Sequence, residues 1–139
     1  MSSRVSPGHD RVLAGGCECG AVRYEVADEF LYAANCHCSR CRAATGSAFK
    51  AFAGIERKKL EITEGLDRLL VWGEEVLNDT RCERCGSLLF SVVQDGAYVH
   101  VAMGSLKDDP SIRPTEHIFV GSKAPWFEIT DGLPQSQEY

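Results

Sequence analysis

Hydrophobic and polar residues alternate along several short stretches of the chain, with a period of two residues rather than the longer period of a helix. In the clearest case, Val22, Tyr24 and Val26 share one face and charged residues separate them, which predicts a strand over residues 21–26. Such alternation is typical of a β-strand that packs one face against a core. Six further short apolar runs predict strands at residues 47–53, 60–63, 68–72, 87–93, 97–103 and 116–120.

Turn and cap residues connect these strands and allow little helix. The sequence Gln-Asp-Gly at residues 94–96 is a turn signal, so the run that follows it should return antiparallel to the run before it. A short helix is predicted around residues 39–45, with Ser39 as its cap and Gly46 as its stop. We therefore expect a mainly β fold, with short antiparallel sheets and at most one or two short helices.

Polar segments set the predicted limits of this fold. Residues 1–10 are polar and contain Pro-Gly, so they are predicted as a flexible N-terminus, and residues 131–139 are predicted as a polar C-terminal tail. Two prolines predict a surface loop at residues 107–114. A chain of 139 residues fits one domain, which we place at residues 11–130.

Composition narrows the possible functions. The chain is 44% hydrophobic and 25% charged, which is typical of a globular protein, and its formal net charge of −5 offers no general attraction to nucleic acid or to an anionic membrane surface. No apolar run reaches the roughly 20 residues of a membrane helix, and the first residues lack the apolar core of a signal peptide. We therefore predict a cytoplasmic protein, in which seven cysteines are metal ligands rather than disulfides.

The seven cysteines fall into three groups, at residues 17 and 19, at residues 36, 38 and 41, and at residues 82 and 85. Such spacing lets the sulfurs of one turn converge on one ion at about 2.3 Å each. A glycine follows the second cysteine of the first and third groups, where it allows a turn with positive φ that aims N–H groups at the sulfurs. These two similar groups together predict a closed structural zinc site with four thiolates, Cys17, Cys19, Cys82 and Cys85.

The middle group is left with three cysteines, Cys36, Cys38 and Cys41, and three ligands with an open fourth position are typical of a catalytic zinc. Three thiolates give the site a net negative charge that blunts Lewis acidity toward water, so the site suits holding an incoming thiolate beside an electrophile better than hydrolysis. The alternative is a second structural site that His37 or another side chain completes. In an extended segment, however, His37 should point away from the sulfurs.

Other candidate residues have simpler interpretations. His100 and His117 are interpreted as histidines of the core or of a sheet face, and Trp126 and Phe127 as packing residues. Redox catalysis by a free thiol would need a cysteine outside the metal sites, and all seven are already assigned. The sequence leaves the oligomeric state open.

The motifs at residues 16–24, 36–42, 45–49, 81–86 and 121–126 together resemble the glutathione-dependent formaldehyde-activating enzyme family, which also contains the centromere protein V group. The resemblance runs over about residues 13–127. It implies the zinc-bound β-tent fold and two zinc ions per chain. In the family, the outer two cysteine pairs hold the structural zinc and the middle three hold the zinc proposed to be catalytic, which agrees with the partition from spacing.

The resemblance also implies an activity, the joining of glutathione and formaldehyde to S-hydroxymethylglutathione, classed as carbon–sulfur lyase chemistry for its reverse direction. The partners would be a thiol such as glutathione and a small aldehyde. Ser47 is a candidate donor to the carbonyl oxygen or a turn cap. Four basic residues are candidates to bind the carboxylates of glutathione or are ordinary surface charges: Arg40, Arg42, Lys50 and Lys123.

The alternative function is a non-catalytic zinc-binding module for a protein partner. The two differ in whether the middle metal accepts an exogenous thiol.

Overall fold

The structure is a computed structural model that describes residues 11–139, and the predicted N-terminal segment 1–10 lies outside them. The described part contains ten strands and one α-helix, so the prediction of a mainly β fold with at most one or two short helices is confirmed. In chain order the elements are β1 Val12–Gly16, β2 Arg23–Ala27, β3 Tyr32–Cys36, α1 Ser39–Thr45, β4 Lys50–Glu56, β5 Leu60–Glu64, β6 Leu69–Glu74, β7 Leu77–Cys82, β8 Leu88–Val93, β9 Tyr98–Ala102 and β10 His117–Ile118.

The strands form two sheets. A three-stranded sheet has the order β1-β2-β5, and a seven-stranded sheet has the order β10-β3-β4-β9-β8-β7-β6. The turn at residues 94–96 joins β8 and β9 as an antiparallel pair, as predicted. One pair departs from the antiparallel pairing that predominates, because β10 pairs parallel with β3. Parallel pairing there follows from the long connection that brings residues 103–116 back across the sheet.

The main core lies between the inner faces of the two sheets. Leu13 and Val26 of the small sheet pack in one cluster with Ile55 and Val101 of the large sheet, and all four are almost completely buried. Tyr24 reaches the same core, where its hydroxyl lies 2.6 Å from the Ser105 hydroxyl oxygen. Burial of these apolar side chains is the main force that holds the sheets together.

Three strands were absent from the sequence prediction. β1, β3 and β7 each contain two or more alanine, glycine, asparagine or aspartate residues, which are depleted in strands. Each is a strand because its neighbours in the sheet offer backbone partners, which single-sequence patterns do not show. The seven predicted strands are present with shifted limits, and the largest shifts are in β4, which covers Lys50–Glu56 rather than residues 47–53, and in the last strand, which shortens to His117–Ile118.

The polar C-terminal segment lies against the fold. The backbone N–H of His117 donates to the carbonyl of Pro134, and the N–H of Ser136 donates back to the carbonyl of His117, each at 2.9 Å. The ring of Tyr139 stacks on Phe119 at 5.5 Å between centroids. Residues 131–139, which the sequence predicts as a polar C-terminal tail, therefore contact β10 and the residue that follows it.

Within the described residues, no helix is long and apolar enough to cross a membrane.

Candidate metal centres and functional site

Four cysteine sulfurs from two distant parts of the chain meet beside the main core. Their Sγ atoms all lie within 4.8 Å of one another, and we call outer cluster the set Cys17, Cys19, Cys82 and Cys85. The Sγ of Cys19 lies 3.7 Å from that of Cys17 and 3.8 Å from that of Cys82. A disulfide needs about 2.05 Å between its sulfurs, whereas four zinc–sulfur bonds of about 2.3 Å place the corners of a tetrahedron about 3.8 Å apart. The outer cluster therefore fits a zinc ion with four thiolates.

Two glycine turns shape the outer cluster. Gly20 and Gly86 both have φ of 84°, the left-handed conformation that the sequence predicted for them. Backbone N–H groups then donate to sulfur, from Val22 to Cys17 at 3.2 Å and from Arg84 to the sulfur of Cys82 at 3.3 Å. Such N–H donors stabilise a thiolate, because they offset its negative charge.

The other three cysteines come together where β3 meets α1. The sulfurs of Cys36, Cys38 and Cys41 lie within 4.8 Å of one another, and we call them the middle cluster. Cys36 ends β3, and Cys38 caps the helix, because its sulfur accepts the backbone N–H of Cys41 at 3.3 Å. The sequence predicted Ser39 as the cap of this helix. That prediction is wrong, because the cap is Cys38. Gly46 ends the helix with φ of 65°, as expected.

In the middle cluster, ionisation of one thiol opposes ionisation of its neighbour. A hydrogen bond from Cys41 lowers the pKa of Cys36, and the same contact raises the pKa of Cys41 far above its ordinary value. Burial also raises the pKa of Cys41, and the charge of Lys50 opposes the rise. Sulfurs crowded in this way cannot all be thiolates unless a cation lies among them. The donor set therefore fits a zinc ion with three thiolates, one fewer than a closed tetrahedron.

Lys50 is a buried cation next to the middle cluster. It pairs with Cys36 across strands β3 and β4, and only 6% of its surface is exposed. Its ammonium donates to the hydroxyl of Ser91 at 2.7 Å, and that hydroxyl donates to a carboxylate oxygen of Asp79 at 2.6 Å. A buried ammonium is costly without negative charge nearby. The thiolates on one side and Asp79 on the other supply that charge.

His37 lies between two of the clustered cysteines and is completely buried. Its Nε2 lies 2.8 Å from Nδ1 of His117, whose Nε2 lies 3.0 Å from a carboxylate oxygen of Asp131. In the tautomer that satisfies both contacts, Nε2–H of His117 donates to the carboxylate and its Nδ1 accepts a hydrogen bond from Nε2–H of His37. The hydrogen bond from His117 lowers the pKa of Asp131. This series of hydrogen bonds, from His37 through His117 to Asp131, connects the C-terminal segment to the loop of the middle cluster.

The chain matches the sequence model of one protein family, described as "Glutathione-dependent formaldehyde-activating enzyme", over residues 12–122. The chain belongs to this family. Among similar proteins, one of Halomonas elongata is 28% identical over 127 residues, which cover 85% of this chain and 81% of that protein, and is named "Putative glutathione-dependent formaldehyde-activating enzyme". A crystal structure of a Rhodobacter sphaeroides protein is 25% identical, has a TM-score of 0.58, and covers 71% of this chain and 92% of that one.

In this member of the glutathione-dependent formaldehyde-activating enzyme family, most of the basic residues considered for binding the carboxylates of glutathione already donate hydrogen bonds within the protein. Arg42 donates to the carbonyl of Ser122, and Lys123 donates to the carbonyls of Ala124 and Phe127. Ser47 donates to the carbonyl of Phe49 within a turn, as one of its two interpretations expected.

The remaining sequence candidates lie outside both clusters. His100 is a sheet-face histidine, as expected: its ring stacks on Phe52 at 4.2 Å, and its Nε2 lies 2.8 Å from the Tyr32 hydroxyl. Phe127 packs against Phe49, whereas Trp126 is 68% exposed, so its interpretation as a packing residue is wrong.

Sequence reasoning missed Ser91, Asp79 and Asp131. Ser91 is a polar residue inside an otherwise apolar strand, a signal that the sequence did contain.

Proposed function

We propose that this protein joins a thiol, such as glutathione, to a small aldehyde, such as formaldehyde, at the middle cluster. The product is the S-hydroxymethyl adduct, a hemithioacetal, and the reverse reaction makes the protein a carbon–sulfur lyase. The observation that carries this proposal is the set of three sulfurs, one short of a closed tetrahedron, beside the buried ammonium of Lys50. Membership of the family supports the same substrates.

Both clusters would hold zinc, the outer one with four cysteines as a structural ion and the middle one with Cys36, Cys38 and Cys41. A zinc ion held by these three cysteines would supply positive charge that favours the thiolate form of an incoming thiol. The seven thiols need a reducing compartment to stay free, and we propose the cytoplasm for that reason.

The chemistry needs little beyond placement and charge. The thiolate sulfur attacks the carbonyl carbon, a carbon–sulfur bond forms, and the electrons of the C=O π bond move to the oxygen. The proton that the thiol loses to solvent is returned from solvent to this oxygen, so the atoms balance. Holding both reactants together accelerates such a step by a large effective concentration.

Lys50 is suited to stabilise the negative oxygen. Although it is buried, it lines a depression of about 600 Å³ together with Ser47 and Phe49. Ser91 and Asp79 hold the ammonium in one position before the reaction, so little reorganisation is needed when charge develops.

The test uses protein in which zinc is exchanged for cobalt, whose visible spectrum reports the ligands of the metal. Glutathione should change the spectrum of the wild type, and it should not change that of Cys38→Ala. Exchange of ¹³C-formaldehyde with glutathione, followed by NMR, should be faster with the wild type than with Cys38→Ala. An unchanged wild-type spectrum at saturating thiol would refute the proposal.

That negative result would favour the second candidate, a non-catalytic zinc-binding module for a protein partner. One observation supports this candidate. The hairpin of β6 and β7 and the turn before it expose several large apolar side chains, including Leu66 at 70%, Leu70 at 51% and Val71 at 48%. Exposed apolar groups in one place are typical of contact surfaces.

A further inference from the structure

The hairpin of β6 and β7, with the turn before it, contains most of the large apolar side chains that the fold leaves in solvent. Six of the ten exposed large hydrophobic residues among residues 11–139 lie between residues 66 and 77. In β6 they occupy both faces of the strand, with Leu70 and Trp72 on one face and Val71 on the other. Antiparallel sheets usually pack one face on a core. The exposure on both faces therefore means that β6 extends beyond the part of the sheet that the fold covers.

β6 is also the last strand of the seven-stranded sheet. It pairs with β7 alone, in a continuous register from Leu69 opposite Cys82 to Glu74 opposite Leu77, and no strand among residues 11–139 lies on its other side. Every second residue of β6 therefore directs its backbone N–H and C=O groups away from the sheet. Edge strands are usually protected from pairing by lysine, proline or a bulge. The β6 sequence, Leu-Leu-Val-Trp-Gly-Glu, contains neither lysine nor proline, and its register has no bulge.

The charges at the ends of β6 fit a second copy of the same strand in the antiparallel direction. Arg68 immediately precedes the strand and Glu74 ends it, each three residues from Val71. A twofold axis at Val71 therefore places Arg68 opposite Glu74 of the partner subunit, and the reverse pair forms on the other side of the axis. The same register places Trp72 opposite Leu70 of the partner subunit, an aromatic–aliphatic pair that stabilises a sheet. Parallel pairing would instead bring like charges together.

The neighbouring charges leave Arg68 accessible to a partner. Its guanidinium lies 3.4 Å from the carboxylate of Glu83 in the same copy, and 45% of its side chain is exposed. An exposed contact of this kind contributes little, so it does not hold Arg68 in place. Asp67 and Glu75, which this register places opposite each other, are both exposed, so water and salt screen their repulsion.

We propose that this protein forms a homodimer in which the β6 strands of two copies pair antiparallel across a twofold axis at Val71. The two seven-stranded sheets become one continuous sheet, and Leu70, Val71 and Trp72 leave solvent. The interface is isologous, because each copy offers the same surface to the other. The dimer does not depend on the proposed function, and it accounts for the exposed hairpin without a different protein.

The test is the mass of the full chain in solution, measured by sedimentation over a range of concentrations. The wild type should dimerise, and the amides of residues 69–74 should exchange with deuterium more slowly as the dimer forms. Val71→Lys places two like charges at the axis, so it should raise the dissociation constant of the dimer at least about thirtyfold, the effect of losing an interface hot spot. Val71→Thr keeps a neutral β-branched residue and should dimerise like the wild type. Leu31→Lys, at a position that is 57% exposed and lies outside the hairpin, should also dimerise like the wild type.

Two charge variants test the same interface if Val71→Lys fails to fold. Arg68→Glu and Glu74→Arg should each dimerise about tenfold more weakly than the wild type, because each opposes two pairs of like charges. An equal mixture of the two should recover wild-type affinity, because every opposed pair then joins unlike charges. A wild type that stays monomeric would overturn the proposal and leave the hairpin to a different partner. A dimer that Val71→Lys does not weaken, or charge variants that the mixture does not rescue, would also overturn it, because such a dimer uses another surface.

Discussion

The two cysteine clusters should differ sharply in what they contribute to stability. The outer cluster joins Cys19 to Cys82, which are 63 residues apart, whereas the middle cluster spans only residues 36–41. By the loop-closure relation used for cross-links, a metal that closes the longer loop restricts the unfolded chain by about 4 kcal/mol, and one that closes the shorter loop by about 2 kcal/mol. Net stabilities are roughly 5–15 kcal/mol, so loss of the outer metal removes a large share.

Packing increases this difference. Cys17 and Cys82 belong to the main core, whereas the middle cluster packs only with a small group that includes Ala34 and Phe52. Cys85 is exposed, so replacing it tests the metal without opening a cavity in the core. We therefore expect Cys85→Ala to yield little soluble folded protein and Cys38→Ala to stay folded while losing the second metal.

Melting temperature and zinc content of both variants, with the wild type as reference, provide the measurement. The wild type should carry two zinc ions, and mild chelation should remove the middle one first. If Cys38→Ala unfolds as readily as Cys85→Ala, or if the outer zinc leaves first, the division into a structural and an open site is wrong.

Three further predictions concern the residues around the middle cluster. Lys50→Met should keep the fold, because the chain length of the side chain is conserved, but should slow aldehyde–thiol exchange about a hundredfold, the usual effect of losing a donor to a developing oxyanion. Asp131→Asn should weaken zinc binding at the middle cluster about tenfold in a chelator competition, while the outer cluster is unaffected. Burial and then the charge of Lys50 lower the pKa of His100 from 6.5 to about 4, so only the unfolded chain takes up this proton between those pH values. The free energy of unfolding should therefore fall by up to about 3 kcal/mol as the pH drops through this range. In denaturant titrations, the free energy of unfolding of His100→Gln should fall by that much less than that of the wild type.

Each of these has a contrary result. If Lys50→Met exchanges aldehyde and thiol as fast as the wild type, Lys50 has no role in the reaction. If Asp131→Asn binds zinc as tightly as the wild type, the hydrogen bonds from Asp131 through His117 to His37 do not support the metal site. Parallel stability curves for the wild type and His100→Gln would show that His100 titrates normally in the folded protein.

Much of the metal chemistry was predictable from local sequence, because cysteine spacing and a following glycine impose a turn before any tertiary contact forms. The three cysteine groups, the left-handed turns at Gly20 and Gly86, and the short helix that ends at Gly46 all follow from such local rules. The likeness of the first and third groups predicted that they share one ion, and the fold brings their sulfurs together. Strands with clear alternation, such as the one containing Tyr24, were predictable for the same reason.

Only the tertiary structure decided which side chains surround the middle cluster. Lys50 reaches Ser91, 41 residues away, because β4, β9 and β8 are neighbours in the sheet, and His117 reaches His37 across 80 residues because β10 pairs with β3. Sequence spacing determines groups within one turn, whereas contacts between strands depend on the order of the sheet, which no local pattern encodes.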